Sequence, residues 1–303
     1  MKKLSLIKKE DVNTRLDRWF KRNICNVPQS LIEKNIRKGN IKINNKKPKS
    51  SYKLQENDKV SLVDLKLKVS EIKVKNSRYI PNKKDLAFSS KIFIENNINF
   101  AVINKPAGIA VQSGTKSKKN IIDILRNTKE FFEHAPYTVH RIDKETTGIL
   151  VVAKNRKDAQ LFTSLFRIRK IHKVYIAIVL GVPPKKKDTL IDDLIVYEKD
   201  KKVVSKAITH YSVLDSNNNY SLLKLNPQTG RKHQLRKQLL ILGNPILGDE
   251  KYRISRDHIS KNNSLMLHSY KINFSIDSIK YSFTAEVPDV FRNTLDEKYL
   301  KIR

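Results

Sequence analysis

One stretch near the middle of the chain constrains the fold most. Ile149-Leu150-Val151-Val152-Ala153 is short, apolar and rich in β-branched residues, so it reads as a buried strand. The residues before it, His140-Arg141-Ile142-Asp143-Lys144-Glu145-Thr146-Thr147-Gly148, then form the loop that feeds the strand. In that loop Asp143 is flanked by arginine and lysine. Cationic neighbours favour the charged form of a carboxylate. An ionised carboxylate can serve as a nucleophile, a base or an ion-pair partner. The loop alone leaves all three open, and most loop aspartates cap or pair.

A chain of 303 residues has room for two domains, and 39% hydrophobic residues suffice for a core. No apolar run approaches the length of a membrane span. Met1-Lys2-Lys3 looks like the start of a signal peptide, but Lys8, Lys9 and Glu10 confine the apolar part to Leu4–Ile7. A cytoplasmic protein is expected. The one cysteine, Cys25, excludes an internal disulfide framework and any zinc site built on paired cysteines. It reads as a small buried hydrophobe. The net charge is +32, a field that draws polyanions. Nucleic acid is the leading partner class and an anionic membrane surface the weaker one. Residues 1–90 hold 24 Lys and Arg against 9 Asp and Glu, about twice the charge density of the remainder.

Thr14 is placed to cap an amphipathic helix over 14–25, with Leu16, Trp19, Phe20 and Ile24 on its apolar side and Arg15 and Arg18 beside it. Pro28 opens a second helix that turns Leu31, Ile32 and Ile36 inward and Arg37 and Lys38 outward, and Gly39 stops it. Ile41-Lys42-Ile43 and 59–63 read as strands, with Asn44-Asn45 as a turn. This head resembles an S4 RNA-binding domain, carried by Arg15-Leu16-Asp17-Arg18, Leu31-Ile32 and Ile36 through Asn44. Residues 64–85 show mixed charge and poor periodicity, which marks a linker.

From Phe88 onward the pattern changes. Strands are expected at 92–97 and 100–103, with Lys105-Pro106-Ala107-Gly108 bending the chain directly after them. Lys105 is placed to meet an anion or to support that loop. Helices are expected over 121–132, 156–168, 231–242 and 288–300, and strands over 173–181, 206–214, 220–226, 271–276 and 280–286. Tyr175 alternates with Ala177 and Val179 on one face of its strand, as a core residue or as a stacking platform for a base. His233 and Arg236 are three apart and share a helix face, with His233 read as a structural, hydrogen-bonded histidine.

Four stretches stand in one order: Lys105-Pro106-Ala107-Gly108, His140–Gly148, Lys173-Val174-Tyr175, and Thr229-Gly230-Arg231-Lys232-His233-Gln234-Leu235-Arg236, the last continuing to Gly248-Asp249. With the S4-like head, the chain resembles the RluA/RluC family of RNA pseudouridine synthases, most closely the C type that acts on large-subunit ribosomal RNA. The resemblance covers nearly the whole chain. It implies an α+β protein, with an S4-like domain over 13–75, a linker over 76–87 and a catalytic domain over 88–303 built on a mixed, mainly antiparallel sheet flanked by helices.

The resemblance also implies roles. Asp143 matches the catalytic aspartate, Tyr175 the tyrosine that stacks on the target uracil, and Arg236 the arginine that pairs with the catalytic carboxylate. Arg141 matches the arginine that fills the gap left by the extruded nucleotide. Lys105 and, in the head, Arg15, Arg18, Arg37 and Lys38 are the expected further RNA contacts. The implied reaction moves C1′ of uridine from N1 to C5 of the same base, which needs no cofactor and no metal. The sequence carries no P-loop, Gly-rich dinucleotide fingerprint or metal-spaced histidines. Attack by Asp143 at C1′, attack at C6 and removal of a sugar proton stay open. The expected partner is large-subunit ribosomal RNA, free or in a pre-ribosomal particle, with no membrane association and a monomeric state. The alternative is a non-catalytic S4-domain RNA-binding or ribosome-assembly protein. Thr147 stands where the family usually has serine, Gln238 where histidine is common and Ser269 where alanine is common.

Overall fold

The computed structural model describes residues 3–7, 11–25, 27–63, 79–89, 91–114, 117–198, 201–254 and 264–302. The chain divides into two compact units, Met1–Ser77 and Arg78–Arg303.

In the first unit, α1 (Leu16–Asn23) and α2 (Gln29–Lys38) pack on a three-stranded antiparallel sheet. Its strand order is β1 (Lys3–Leu6), β3 (Lys59–Leu62), β2 (Ile41–Ile43). Leu16, Trp19, Phe20, Ile32, Ile41, Leu54 and Val60 form the core. Thr14 does not cap α1. The helix begins at Leu16, and its first free N–H groups are taken by neighbouring backbone: Leu16 donates to the Tyr52 carbonyl and Asp17 to that of Ser50. Gly39 ends α2 at φ 77, and Asn44 and Asn45 turn with φ 48 and 63, values that asparagine tolerates.

The second unit is organised on one large sheet, with ten strands among the described residues. Its path runs β4 (Phe93–Asn96), β5 (Phe100–Lys105), β7 (Thr147–Ala153), β12 (Leu267–Ile276), β8 (His172–Leu180), β11 (Tyr220–Pro227), β10 (Lys201–Ser216), β9 (Lys187–Glu198). β6 (Tyr137–Thr138) adds to β7 and β13 (Ile279–Thr284) to β12. Among these pairings β7 with β12 is parallel and the rest are antiparallel. This is the α+β, mainly antiparallel arrangement expected.

All seven residues of β7 are buried. Ile149, Val151 and Ala153 pack with Phe100, Phe162 and Phe274 beneath α5 (Arg156–Arg167). Leu150 and Val152 pack on the opposite face with α4 (Ile121–Leu125) and Phe131. A strand covered on both faces gains from an apolar residue at every position, hence the unbroken run. α6 (Gln234–Ile241) and α7 (Asp289–Glu297) join a third cluster around β8 and β11.

Four expectations are revised. The helix over 121–132 stops at Leu125, and a 3-10 turn follows at Lys129–Phe131, because Asn127 and Thr128 turn their side chains onto the carbonyls of Asp123 and Leu125. β9 was not anticipated. It pairs with β10 from Lys187–Ser212 to Glu198–Lys201, and as an edge strand it leaves Ile191 and Ile195 exposed, which blurs its alternation. α6 starts at Gln234 and not at Arg231, since His233 sits at φ 54. Of the linker over 76–87, residues 76–78 lie outside the described residues, while 79–87 are bonded into the second unit. There Tyr79 donates its backbone N–H to Asp123, its hydroxyl bonds Asp85, and α3 (Lys83–Ser89) follows. Among the described residues, no helix is long and apolar enough to cross a membrane.

Candidate active site

The loop carrying Asp143 is fastened from three sides. His140 stacks on Phe166 at 4.5 Å, and its Nε2 accepts the Val151 N–H at 2.8 Å. Burial, helped by the Lys173 charge, lowers the His140 pKa to about 3, so the ring is neutral and able to accept. Lys105 holds the loop from below. Its side chain is 0% exposed, and Nζ donates to the carbonyls of Pro106 (2.7 Å), Ile109 (3.0 Å) and Lys144 (3.0 Å). Lys105 therefore supports the loop and does not reach RNA. All three ammonium hydrogens are spent on backbone, which corrects its expected role as an RNA contact. The third attachment is Gly148, at φ 101, pressed against Ser269 of β12. A Cβ there would lie 2.3 Å from the Ser269 carbonyl oxygen, so the close β7–β12 approach requires glycine.

Asp143 faces a cleft of about 810 Å³ and keeps 25% of its side chain exposed. Among the residues lining that cleft it is the one carboxylate, while Arg141, Arg167, Arg169, Lys173, Arg231 and Lys232 supply positive charge. The exposed Arg141 also lines it, two residues before Asp143.

Tyr175 lies on β8 between Leu225 of β11 and Ser269 of β12 and lines the same cleft. Burial pushes its phenol up to about 12, against an opposing hydrogen bond with the Ser269 hydroxyl. The ring is thus neutral and oriented by its hydroxyl, on a strand paired on both sides.

Arg236 approaches Asp143 with Nη1 at 3.6 Å from Oδ2, too long for a hydrogen bond. Its strong partner is Asp249. Nε and Nη2 donate to the two Asp249 oxygens at 2.6 and 2.7 Å, and the Asp249 side chain is 0% exposed. Asp249 Oδ1 also accepts the backbone N–H groups of Lys251 and Tyr252, each at 2.9 Å. Burial pulls the Arg236 pKa down, but the Asp249 bond and charge outweigh it and hold the guanidinium above its ordinary value. The fork on Asp249 leaves Nη1 directed at Asp143, a charge contact whose geometry another residue sets.

His233 is the second neighbour, with Nε2 at 3.8 Å from Asp143 Oδ1 and Nδ1 bonded to the Tyr252 hydroxyl at 2.9 Å. Burial lowers its pKa, Asp143 opposes this, and Arg236, Lys251 and Lys232 add to the lowering. The Tyr252 ring also lies 5.1 Å from the Arg236 guanidinium carbon. The sequence placed Asp249 at the end of the fourth motif without a role, left Tyr252 aside and read His233 as structural. The available signal was an Asp and a Tyr in the turn-rich loop after α6, with no partner visible nearby in the chain.

The unusual residues are absorbed locally. Thr147 Oγ1 bonds His268 Nδ1 at 2.8 Å, and His268 Nε2 donates to the Ala285 carbonyl at 3.2 Å. Gln238 is buried, accepting from Thr209 at 2.6 Å and donating to Asp192 at 2.7 Å. In the first unit Arg18, Arg37 and Lys38 are exposed, whereas Arg15 is bonded to Asp17 at 2.7 Å.

A family model described as RNA pseudouridylate synthase matches residues 99–240, a span that holds Lys105, Asp143, Tyr175 and Arg236. The ribosomal large subunit pseudouridine synthase C of Buchnera aphidicola subsp. Baizongia pistaciae is 32% identical over 297 residues, 93% of this chain and 92% of that protein. The chain belongs to the RNA pseudouridylate synthase family. The protein of the same name from Rickettsia conorii is 35% identical to this synthase, over 80% of this chain and 84% of its own length. Among solved structures, human RNA pseudouridylate synthase domain containing 4 matches with a TM-score of 0.62 at 26% identity, covering 72% of this synthase and 98% of the human chain. The mixed sheet described above is thus the pseudouridine synthase fold.

Proposed function

We propose that this synthase isomerises specific uridines to pseudouridine in large-subunit ribosomal RNA, with Asp143 as the reacting carboxylate. The observation that carries the reading is the site itself: one carboxylate in a cleft otherwise rich in cations, with a neutral phenol beside it. The names of its relatives supply the substrate class.

A base inside a stacked helix is out of reach of a side chain, so the uridine must be extruded into the cleft. Tyr175 offers its ring as the platform, worth roughly 1–3 kcal/mol for a stacked base. Arg141, exposed and lining the same cleft, is suited to fill the vacated position. In the isomerisation the N1–C1′ bond breaks, the base turns, and a C5–C1′ bond forms. C5 loses its hydrogen, and N1 ends protonated. Asp143 serves this by attack on C1′, attack on C6 or removal of a sugar proton. Arg236, fixed on Asp249, keeps positive charge 3.6 Å from the carboxylate and restricts its orientation. The basic first unit adds RNA affinity as an S4-like module, with Arg18, Arg37 and Lys38 on phosphates and Arg15 engaged with Asp17. A cytoplasmic monomer acting on free or pre-ribosomal RNA fits this reading.

The test is Asp143→Asn in cells lacking the native gene, with pseudouridines mapped in large-subunit ribosomal RNA. We expect every site that depends on the gene to stay uridine, while the purified variant binds an unmodified transcript within a few fold of wild type. Pseudouridine formation by the variant would refute the assignment. If deletion of the gene leaves every pseudouridine intact, the protein is a non-catalytic RNA binder.

A further inference from the structure

Beside the cleft lies a second pocket of about 370 Å³ that the isomerisation does not use. Its origin is in the strand register. β8 and β11 pair from Leu180–Tyr220 down to Tyr175–Leu225, and the described pairing goes no further. Past that point β11 stays bonded to β10 as far as Pro227, and β8 stays bonded to β12 as far as His172–Asn273. The two strands part while each keeps its other neighbour, and the gap between them is the pocket.

The chemistry of the gap is one-sided. Arg169, Lys173, Lys224 and Lys271 line it, with Asn226 and Asn273 as neutral donors, and no Asp or Glu is among the lining residues. None of the four cations has an ion-pair partner among the described residues. Converging cations cost stability unless an anion joins them. Burial lowers the Lys173 pKa with no carboxylate to oppose it, in agreement with a place that lacks its counter-charge. The pocket is also continuous with the cleft, since Phe166, Arg169, Lys173, Pro227 and Gln228 line both. A strand whose uridine lies over Tyr175 therefore passes this gap on its way out.

We infer that the gap between β8 and β11 is a phosphodiester subsite, holding a backbone phosphate of a nucleotide next to the target uridine through Lys224, Lys271, Lys173 and Arg169. The inference rests on the RNA-modifying reading above. It adds a fixed anchor that sets the path of the strand and so the presentation of the uridine. Phosphate contacts set register, which is the service an enzyme needs when it extrudes one nucleotide.

The experiment uses the full chain and an unmodified transcript of large-subunit ribosomal RNA. Lys224→Ala with Lys271→Ala is compared with Lys157→Ala with Lys280→Ala, a pair of exposed lysines outside both cavities that removes the same charge. Kd is measured across a salt series, and turnover in parallel. Losing the anchor should raise Kd and KM about tenfold, the effect of a charged hydrogen-bonded contact, with kcat unchanged. The slope of log affinity against log salt should fall by about 0.7, the value of one phosphate on a single strand. The control pair should show a clearly smaller effect, and Lys224→Arg with Lys271→Arg should restore binding. Equal losses in the two alanine pairs would mean that only the diffuse field matters, and an unchanged Kd and slope would remove the subsite outright. Because Kd is read without turnover, a wild-type protein that makes no pseudouridine would sink the enzymatic reading and still leave this comparison decisive.

Discussion

The contact that most needs testing is Arg236 with Asp249, since it determines how Asp143 meets a positive charge. The perturbation is Asp249→Asn, which keeps the shape and removes the charge. The wild-type carboxylate accepts four hydrogen bonds, two from the guanidinium and two from backbone N–H groups. Asparagine has one acceptor oxygen and sets an amide N–H₂ against a donor. At least one charged bond is lost outright, worth roughly 1.5–3 kcal/mol, and the second is weakened. Removing one member of a buried pair costs about 3–5 kcal/mol when the other charge stays uncompensated. Here Arg236 retains Asp143 at 3.6 Å and the Tyr252 face, and its edge reaches the cleft, so the lower end applies. We expect a loss of about 3 kcal/mol, which for a unit of this size is a fall of ~6–12 °C in Tm.

Activity should fall further than stability accounts for. Released from its fork, the guanidinium is free to close onto Asp143 and turn a charge contact into a direct ion pair. A carboxylate so occupied is misplaced for reaction, a fault that costs about 100-fold in rate. Calorimetry of the full chain reads the first effect. Release of tritium from uridine labelled at C5, in single turnover at a temperature where the variant is folded, reads the second. A double variant, Arg236→Met with Asp249→Asn, should regain most of the stability, because the amide oxygen still accepts the Lys251 and Tyr252 N–H groups and no buried guanidinium is left short of its carboxylate, and none of the activity. A shift in Tm under 2 °C together with an unchanged single-turnover rate would refute the reasoning.

Other perturbations follow from the same geometry. Gly148→Ala drives a Cβ into the backbone of Ser269 at a positive φ, so urea denaturation should show a loss of roughly 3 kcal/mol or more, and a loss under about 1 would contradict the close approach. Ser269→Ala leaves the Tyr175 hydroxyl without its protein partner, at an expected cost of about 1 kcal/mol. In a cycle with Tyr175→Phe that cost should vanish, and additive losses would show the two hydroxyls to be uncoupled. Burial lowers the His268 pKa to about 4 in the fold, against the backbone bond to Ala285. The unfolded chain then binds the extra proton between pH 6.5 and 4, so this group's contribution is full above the unfolded value and is lost as pH falls, up to about 3 kcal/mol. His268→Gln should flatten that part of the stability profile, and parallel profiles for the two proteins would count against a buried neutral ring.

What the sequence made legible are the features that short-range chemistry decides. β7 announces itself because a strand buried on both faces has no polar position, and Gly39 and Asn44-Asn45 because their φ values admit few residue types. Legibility fails where the partner is distant in the chain or comes from backbone. Thr14 looked like a cap, yet the carbonyls of Tyr52 and Ser50 meet the first N–H groups of α1. β9 carries apolar residues outward at a sheet edge, so its alternation points to no single face. His233 adopts φ 54, which a helical pattern starting at Arg231 hides.

The site shows the same division and gives it a functional consequence. A net charge of +32 suggests that cations near Asp143 face the substrate. Two of them face the protein instead: Lys105 is consumed by three carbonyls and Arg236 by Asp249. Burial draws the Lys105 pKa down to about 7 against the Glu145 and Asp143 charges, while Asp249 keeps Arg236 charged, and in both cases the hydrogen bonds hold the group in one place. The exposed cations remain free to follow a flexible polyanion, while the internal ones hold the Asp143 loop and carboxylate in place. An enzyme that must grip a variable RNA and yet act on one base needs both kinds, and burial, which composition does not record, is what separates them.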